Sequence, residues 1–170
     1  IHRAIRNFAG FDRKRLIAES RKNFGLKRLS HLEKLLGAMQ DEEKEHRIGM
    51  YAGGDEFYLL TLQERKIAEE LAKGRGKVSC KLDVVILHTL IIERILGIPP
   101  ENQENMTYSE KINEVLAKVR DGSHCLAFFL RPVKLSEFKA IVEAGEIMPK
   151  KSTYFYPKLL SGLVINKIEM

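Results

Sequence analysis

The spacing of hydrophobic residues switches several times between a helical period and a strand period. Apolar residues recur every three or four positions in four segments and predict amphipathic helices: 13–24, 32–39, 110–121 and 136–144. Three other segments have the length and apolar pattern of strands: 1–6, the hairpin 46–62 turning at Gly53–Asp55, and 124–130. This order of elements favours an α+β fold, a mixed or antiparallel sheet packed with several helices.

One segment is apolar around its whole circumference. Between Leu82 and Leu96, ten of the fifteen residues are Leu, Ile or Val and together cover nearly the whole circumference, and Asp83 and Gly97 mark the two ends. A helix that is apolar all round belongs in the interior, and a carboxylate suits the positive end of its dipole. The pattern therefore predicts one central buried helix at about 83–96.

Polar residues ahead of the other helices predict where those helices begin. Asp12 is a candidate N-cap, and Ser30 with Glu33 has the spacing of a capping box. Ser109 is the candidate N-cap of the helix at 110–121, and Ser136 that of the next one. Gly25 is expected to end the first helix.

Length and composition indicate one ordinary soluble domain. The chain has 170 residues, of which 44% are hydrophobic and 31% charged. We expect a single domain over 1–170, with 1–81 and 82–170 as candidate sub-lobes. Cys80 and Cys125 lack a CxxC spacing and favour reduced thiols. No apolar run is long enough to span a bilayer, so a cytoplasmic protein without a membrane partner is expected.

Positive charge is concentrated near the start of the chain. Residues 1–28 contain nine Lys or Arg residues against two acidic residues, while the whole chain has a formal net charge of +6. A basic segment of this kind suits nucleic acid, or else forms a solvated helix face. Its aromatic residues, Phe8, Phe11 and Phe24, have a spacing that suits core packing better than base stacking.

The segment 144–162 carries the most distinctive chemistry. It combines lysines and hydroxyl residues between two prolines, and such side chains together with free backbone N–H groups hold phosphate. The predicted phosphate-binding residues are Lys150, Lys151, Ser152, Thr153 and Lys158. Tyr154 and Tyr156 are the predicted substrate-binding residues, since Phe155 between them faces the core. The alternative is a solvated loop whose hydroxyls only cap turns.

Other familiar site patterns do not occur in the sequence. There is no GxxxxGK[ST] phosphate loop, no GxSxG, no HExxH and no Cys/His cluster, so no metal site is predicted. His88 is interpreted as a core residue of the central helix, and the acidic run 41–45 as solvated. No residue can be named as catalytic.

The second half of the chain resembles the bacterial and archaeal domain-of-unknown-function family 1015. The resemblance is strong over 82–170 and loose over 1–81, and its core is the ending AGEIMPKKSTYFYPKLLSGLV. The family pattern is matched at Ala144, Gly145, Glu146, Met148, Pro149, Lys151, Ser152, Thr153, Phe155, Tyr156, Pro157, Lys158, Ser161, Gly162, Leu163 and Val164.

This resemblance implies the C-terminal part of a longer enzyme. Family members carry an N-terminal DGHHR motif similar to the signature of ParB-like and free serine kinase proteins, and no DGHHR occurs here. The implied function is an ATP-dependent small-molecule kinase using ATP with Mg²⁺. Its partners are a small-molecule substrate and the missing N-terminal part, without which the fragment is expected to be inactive. A nucleic-acid-binding or regulatory ParB-like module, or a purely structural or interaction domain, remains open.

Overall fold

A six-stranded antiparallel sheet organises the protein in the computed structural model, which describes residues 1–40, 46–63, 67, 76–154 and 157. Its strands are β1 His2–Arg6, β2 Phe24–Leu29, β3 Arg47–Tyr51, β4 Phe57–Leu62, β5 Met106–Ser109 and β6 His124–Phe129. They lie in the order β2-β4-β3-β6-β1-β5. The apolar run after His124 is therefore an interior strand, paired with β3 on one side and β1 on the other, as its continuous hydrophobicity predicted.

Helices cover both faces of this sheet. They are α1 Arg13–Ser20, α2 Leu32–Met39, α3 Asp83–Ile86, α4 Ile112–Arg120 and α5 Leu135–Glu143. Leu16 of α1 and the apolar residues of α3 pack with Ile5, Met50 and Phe128 on one face. Leu35 of α2 and Val115 of α4 pack on the opposite face. The fold is α+β, as the order of elements predicted.

The central helix is buried but is not a regular α-helix. After Ile86 it continues as a π-helix over Leu87–Glu93. The wider turns are visible in the bond from the Leu96 amide to the Ile91 carbonyl, 2.9 Å, which spans five residues. Ile86, Leu87, Leu90 and Ile91 are fully buried. The prediction of a buried helix at this place is confirmed, and its π geometry was not foreseen.

Four predicted helix boundaries are wrong, namely three N-caps and the end of the first helix, although that helix begins as expected. The Asp12 carboxylate accepts the amides of Lys14 and Arg15 at 2.8 and 3.1 Å. Ser30 is not the N-cap of α2: that position is His31, with no side-chain cap bond. The N-caps of α4 and α5 are Lys111 and Lys134 instead of Ser109 and Ser136.

Sheet pairing explains the differences at Ser109 and Gly25. Ser109 is the last residue of β5 and is paired with His2, so its backbone is already extended. Its hydroxyl still accepts the Lys111 amide at 3.0 Å, just ahead of the helix. Gly25, expected to end α1, lies inside β2 opposite Thr61. Long-range strand pairing decided these boundaries, and a local cap signal cannot report it.

Both cysteines lie in the described part of the chain. Cys80 and Cys125 are free thiols. Within the described ranges, no helix has the length and apolar content that a bilayer crossing would require.

Candidate functional site

Four strand ends meet at one end of the sheet. β1 begins there at His2, β5 ends at Ser109, β6 ends at Phe129 and β3 begins at Arg47. A cleft of about 480 Å³ opens beside them, which we call the sheet-end cleft. This volume is within the range of small-molecule sites.

The sheet-end cleft has an apolar wall and a polar group of residues. The apolar wall comes from α2, α4, β6 and α5: Leu36, Met39, Ile112, Phe129, Leu130, Leu135 and Phe138. The polar residues are His2, Gln40, Glu110, Arg131, Ser152, Thr153 and Tyr154. An apolar surface with a few convergent polar groups is what a small organic ligand requires.

Arg131 is held in place by a carboxylate at the start of α3. Its Nε and Nη2 both donate to Asp83 Oδ2, at 3.2 and 3.1 Å. The other oxygen of Asp83 is 3.0 Å from Nδ1 of His46, a residue with the left-handed φ of 58°. All three side chains are largely buried. Within the described part of the chain, Nη1 of Arg131 has no hydrogen-bond partner and is the nitrogen available to a ligand.

His2 contributes a neutral imidazole to the same cleft. The Leu130 amide donates to His2 Nδ1 at 3.2 Å, and the ring lies edge-on to Phe129 with centroids 5.8 Å apart. Burial lowers the pKa of His2 to about 4, and the positive charge of Arg3 adds to the effect. Because Nδ1 accepts a bond, the proton of the neutral ring resides on Nε2, which is the donor that His2 can offer.

The segment 149–154 passes between two cavities. Ser152 is buried and its hydroxyl donates to the Pro149 carbonyl at 2.7 Å, which closes a tight turn. Lys151 in that turn has φ 56°, a conformation uncommon for a residue with a side chain. Ser152, Thr153 and Tyr154 then line the sheet-end cleft.

The predicted site residues are only partly brought together. Ser152, Thr153 and Tyr154 share the sheet-end cleft. Lys150 lines a different cavity, and the exposed Lys151 lines neither. Tyr156 and Lys158 lie outside the described residues. The structure therefore separates the two described lysines from the hydroxyl residues beside them.

Arg3 anchors this segment from the interior of the sheet. Its side chain is 0% exposed, and Nη2 donates to the Lys151 carbonyl at 3.0 Å. Nη1 donates to the Ile1 carbonyl, and Nε donates to His88 Nε2 at 3.2 Å. The guanidinium also lies 5.5 Å from the ring centre of Tyr108. Burial lowers the pKa of Arg3 to about 10.

A second cavity lies on the α3 face of the sheet. It has a volume of about 440 Å³ and we call it the His88 cavity. Its lining residues come from the turn ahead of α3, from α3 and its π-helical continuation, from β5 and from the segment before Lys151, and they include Ser79, Val85, His88, Glu93, Met106, Tyr108, Ile147 and Lys150. Arg3 lies directly behind it, in contact with His88 and Tyr108. His88, interpreted as a plain core residue, is half-buried at a cavity wall.

Several of these residues were not identified from the sequence. His2 and Arg3 are neighbours on a strand and point to opposite faces, so they serve different cavities. Asp83 and Arg131 are 48 residues apart and meet only in the folded chain. The sequence signal that could have identified Arg131 is a charged residue close behind an interior strand, since Arg131 lies two residues beyond the end of β6.

Four of the nine Lys or Arg residues in the basic segment 1–28 are buried or paired with a carboxylate, and the other five are exposed. Arg3 is buried, Arg13 and Arg28 both pair with Glu56, and Lys22 pairs with Glu19. Among the described residues, no group of three or more His, Cys, Asp or Glu side chains is arranged to hold a metal ion. Comparison with protein-family models, curated proteins and solved structures finds no match to this chain.

Proposed function

We propose that this chain binds a phosphate-bearing organic molecule in the sheet-end cleft. The single observation that supports this is the composition of the cleft: a fixed arginine, a neutral histidine donor and two hydroxyl residues face an extended apolar wall. The charged group of such a molecule would contact the polar residues, and its apolar group would pack against the apolar wall.

The polar residues of the cleft suit an anion. Arg131 is paired with Asp83 through Nε and Nη2 and has Nη1 to offer, and guanidinium N–H groups match the oxygens of phosphate. Nε2 of His2 and the Thr153 hydroxyl are neutral donors in the same cleft. Glu110 also lines the cleft and would repel an anion placed beside it, so the phosphate is assigned to the Arg131 side.

The family resemblance extends this proposal to ATP-dependent phosphotransfer in the cytoplasm. Bound ATP with Mg²⁺ would supply the transferable phosphoryl group. This chain would contribute binding and orientation: Arg131 would donate a hydrogen bond from Nη1 to a phosphate oxygen, and the apolar wall would exclude water from one side of the ligand. The Mg²⁺ would enter the site together with the phosphates of the nucleotide.

Calorimetric titration with ADP and ATP, with and without Mg²⁺, tests the proposal. We expect saturable binding that Arg131→Met weakens by about tenfold or more, the scale of a charge-assisted hydrogen bond of ~1.5–3 kcal/mol. Thr153→Val should weaken it less, because a neutral hydroxyl contributes about 1 kcal/mol. Circular dichroism of each variant checks that the fold is retained.

Two control variants distinguish nucleotide binding in the cleft from a general effect of removing positive charge. Arg120→Met removes an equal charge at the exposed end of α4. Lys151→Met removes a charge next to Ser152 from a side chain that lines neither cavity. Both should bind nucleotide like the unmodified protein. Equal weakening by Arg131→Met and Arg120→Met, or no binding of either nucleotide, would contradict the proposal.

A further inference from the structure

The apolar wall of the sheet-end cleft is only partly covered by the protein itself. Leu36, Ile112 and Phe138 line the cleft and are half-buried. Leu135 also lines it and is 79% exposed. Contact between apolar surface and water is unfavourable, and a hydrocarbon group that covers the surface lowers the free energy. A ligand with a hydrocarbon part would therefore gain affinity from this wall.

Leu135 extends the wall onto the outer surface of α5. It is the first residue of the helix, and Val142, seven residues later, lies on the same side and is 56% exposed. A single exposed leucine is common on protein surfaces, but Leu135 belongs to a cleft wall as well as to the surface. The apolar surface thus leads out of the cleft along α5.

The polar residues of the cleft determine what kind of molecule suits this surface. Arg131 lies four residues before Leu135, and Pro132 and Val133 between them also line the cleft. Nη1 of Arg131 and Nε2 of His2 are donors that suit an anion. An apolar helix of another protein would cover the wall but would supply no anion to these donors. A molecule with an anionic head and an apolar chain matches both parts.

We propose that the phosphate-bearing ligand of the sheet-end cleft is an amphiphile, a phosphate monoester of a hydrocarbon chain. The phosphate accepts a hydrogen bond from Arg131, and the chain runs along the apolar wall and leaves the cleft over Leu135. This inference rests on the proposed function, because it uses the phosphate position assigned to Arg131 there. It adds the chemical class of the group that carries the phosphate.

Calorimetric titration with methyl, butyl and octyl phosphate, below the concentrations at which they form micelles, tests this inference. Burial of one methylene group raises affinity by up to about fourfold. We therefore expect octyl phosphate to bind at least about tenfold more tightly than butyl phosphate. Octyl glucoside has the same chain without a charge and should bind at least about tenfold more weakly than octyl phosphate.

Substitution of the exposed leucine tests the path of the chain. Leu135→Gln should weaken octyl phosphate binding about fivefold and leave methyl phosphate binding unchanged, because only a long chain reaches Leu135. Ile147→Gln is the matched control: Ile147 is 89% exposed, lies outside the sheet-end cleft, and should affect neither ligand. Both side chains are exposed, so neither substitution should disturb the fold.

The phosphate monoester is proposed as a free molecule and not as a lipid within a bilayer. The wall belongs to a cleft of about 480 Å³, the size of a site for a single small molecule. Vesicles that contain phosphatidic acid should therefore not sediment the protein.

The inference would be overturned by equal affinity for butyl and octyl phosphate, by octyl glucoside binding as tightly as octyl phosphate, by equal effects of Leu135→Gln and Ile147→Gln, or by sedimentation with the vesicles. Nucleotide binding that depends on Arg131, without binding of octyl phosphate, would also overturn it and would leave the proposed function standing. Binding of octyl phosphate without binding of ADP or ATP would instead support this inference and contradict the nucleotide part of the proposed function.

Discussion

At the scale of single residues, His2 shows how burial sets the chemistry of a side chain. It is placed at the first position of β1 with Nδ1 accepting the Leu130 amide. Burial together with nearby positive charge lowers its pKa to about 4. The imidazole is therefore neutral at physiological pH and offers one defined donor to the sheet-end cleft.

This residue makes stability depend on pH in a predictable window. The ordinary pKa of 6.5 applies to the unfolded chain, and the folded value is about 4. The unfolded state thus binds more protons between these values, so the contribution is complete above pH 6.5 and is lost as pH falls toward 4. NMR titration of the His2 ring should give a midpoint near 4, and urea unfolding should show that His2→Gln flattens the pH dependence in this window. A midpoint near 6.5 would contradict the prediction.

At the scale of elements, α2 and β3 approach one another very closely at Gly49. A Cβ atom at this position would lie 2.8 Å from Met39 Sδ, 3.0 Å from Leu35 Cδ2 and 3.1 Å from Phe129 Cβ. Two of these residues belong to α2 and the third to the neighbouring strand β6. The helix can pack this tightly on the sheet because Gly49 has no side chain.

Gly49→Ala should therefore destabilise the protein by about 2 kcal/mol through overpacking, measured by urea unfolding. Gly37→Ala is the matched control, because Gly37 is exposed on α2 and a Cβ added there would have nothing within 4 Å. It should stabilise the protein by about 0.5–1 kcal/mol through better helix propensity. Equal effects of the two substitutions would show that α2 does not pack on Gly49.

A second contact between elements connects the turn ahead of α3 to the end of α5. The carboxylate of Glu146 accepts the amides of Val78 and Ser79 at 3.0 and 2.8 Å. These bonds lower the pKa of Glu146 below its ordinary value of 4.5. The close approach leaves no room at Gly76, where an added Cβ would be in collision with Glu146 Oε2.

The Glu146 contact should weaken in acid. Because the pKa of Glu146 is lowered by folding, the contribution of its carboxylate to stability is complete above pH 4.5. That contribution is lost as the pH falls through the pKa of Glu146 in the folded protein. Glu146→Gln should lower stability at neutral pH, and the difference from the unmodified protein should shrink in strong acid. Thermal unfolding across this range measures it, with Glu143→Gln on the exposed face of α5 as the control. A difference that stays constant with pH would refute the role of the charge.

At the scale of the whole molecule, Arg3 connects parts of the chain that are far apart in sequence. From β1, the strand next to the edge strand β5, it contacts the π-helical continuation of α3 through His88, β5 through Tyr108 and the segment 149–154 through the Lys151 carbonyl. The last of these partners is 148 residues away. One side chain thus fixes the segment that separates the two cavities.

Arg3→Met should destabilise the protein by about 2 kcal/mol or more, because it leaves buried acceptors without donors. Arg21→Met, at an exposed position after α1, should change stability by less than about 0.5 kcal/mol. Hydrogen exchange should also speed up at the Ser152 amide in Arg3→Met. Unchanged exchange there would mean that the segment 149–154 is held by other contacts.

Much of the framework could be predicted from local pattern. The buried central helix, the hairpin of β3 and β4, the interior strand β6 and the Asp12 cap all have periodicities or side chains that act within a few residues. The starts of α2 and α4 could not be predicted equally well. At Ser109 a favourable cap competes with strand pairing to His2, more than a hundred residues away, and the pairing prevails.

The sequence by itself determined the α+β class, the order of the elements and the presence of a lysine- and hydroxyl-rich segment, because these depend on the spacing of neighbouring side chains. The tertiary structure alone decided where that chemistry lies. It placed Lys150 and Ser152 in different cavities and brought Asp83 into contact with His46 and Arg131. It also buried Arg3, which donates to backbone carbonyls and to His88 and pairs with no carboxylate among the described residues. Those outcomes depend on which distant elements pack together, and pairings over such separations have no local signature in the chain.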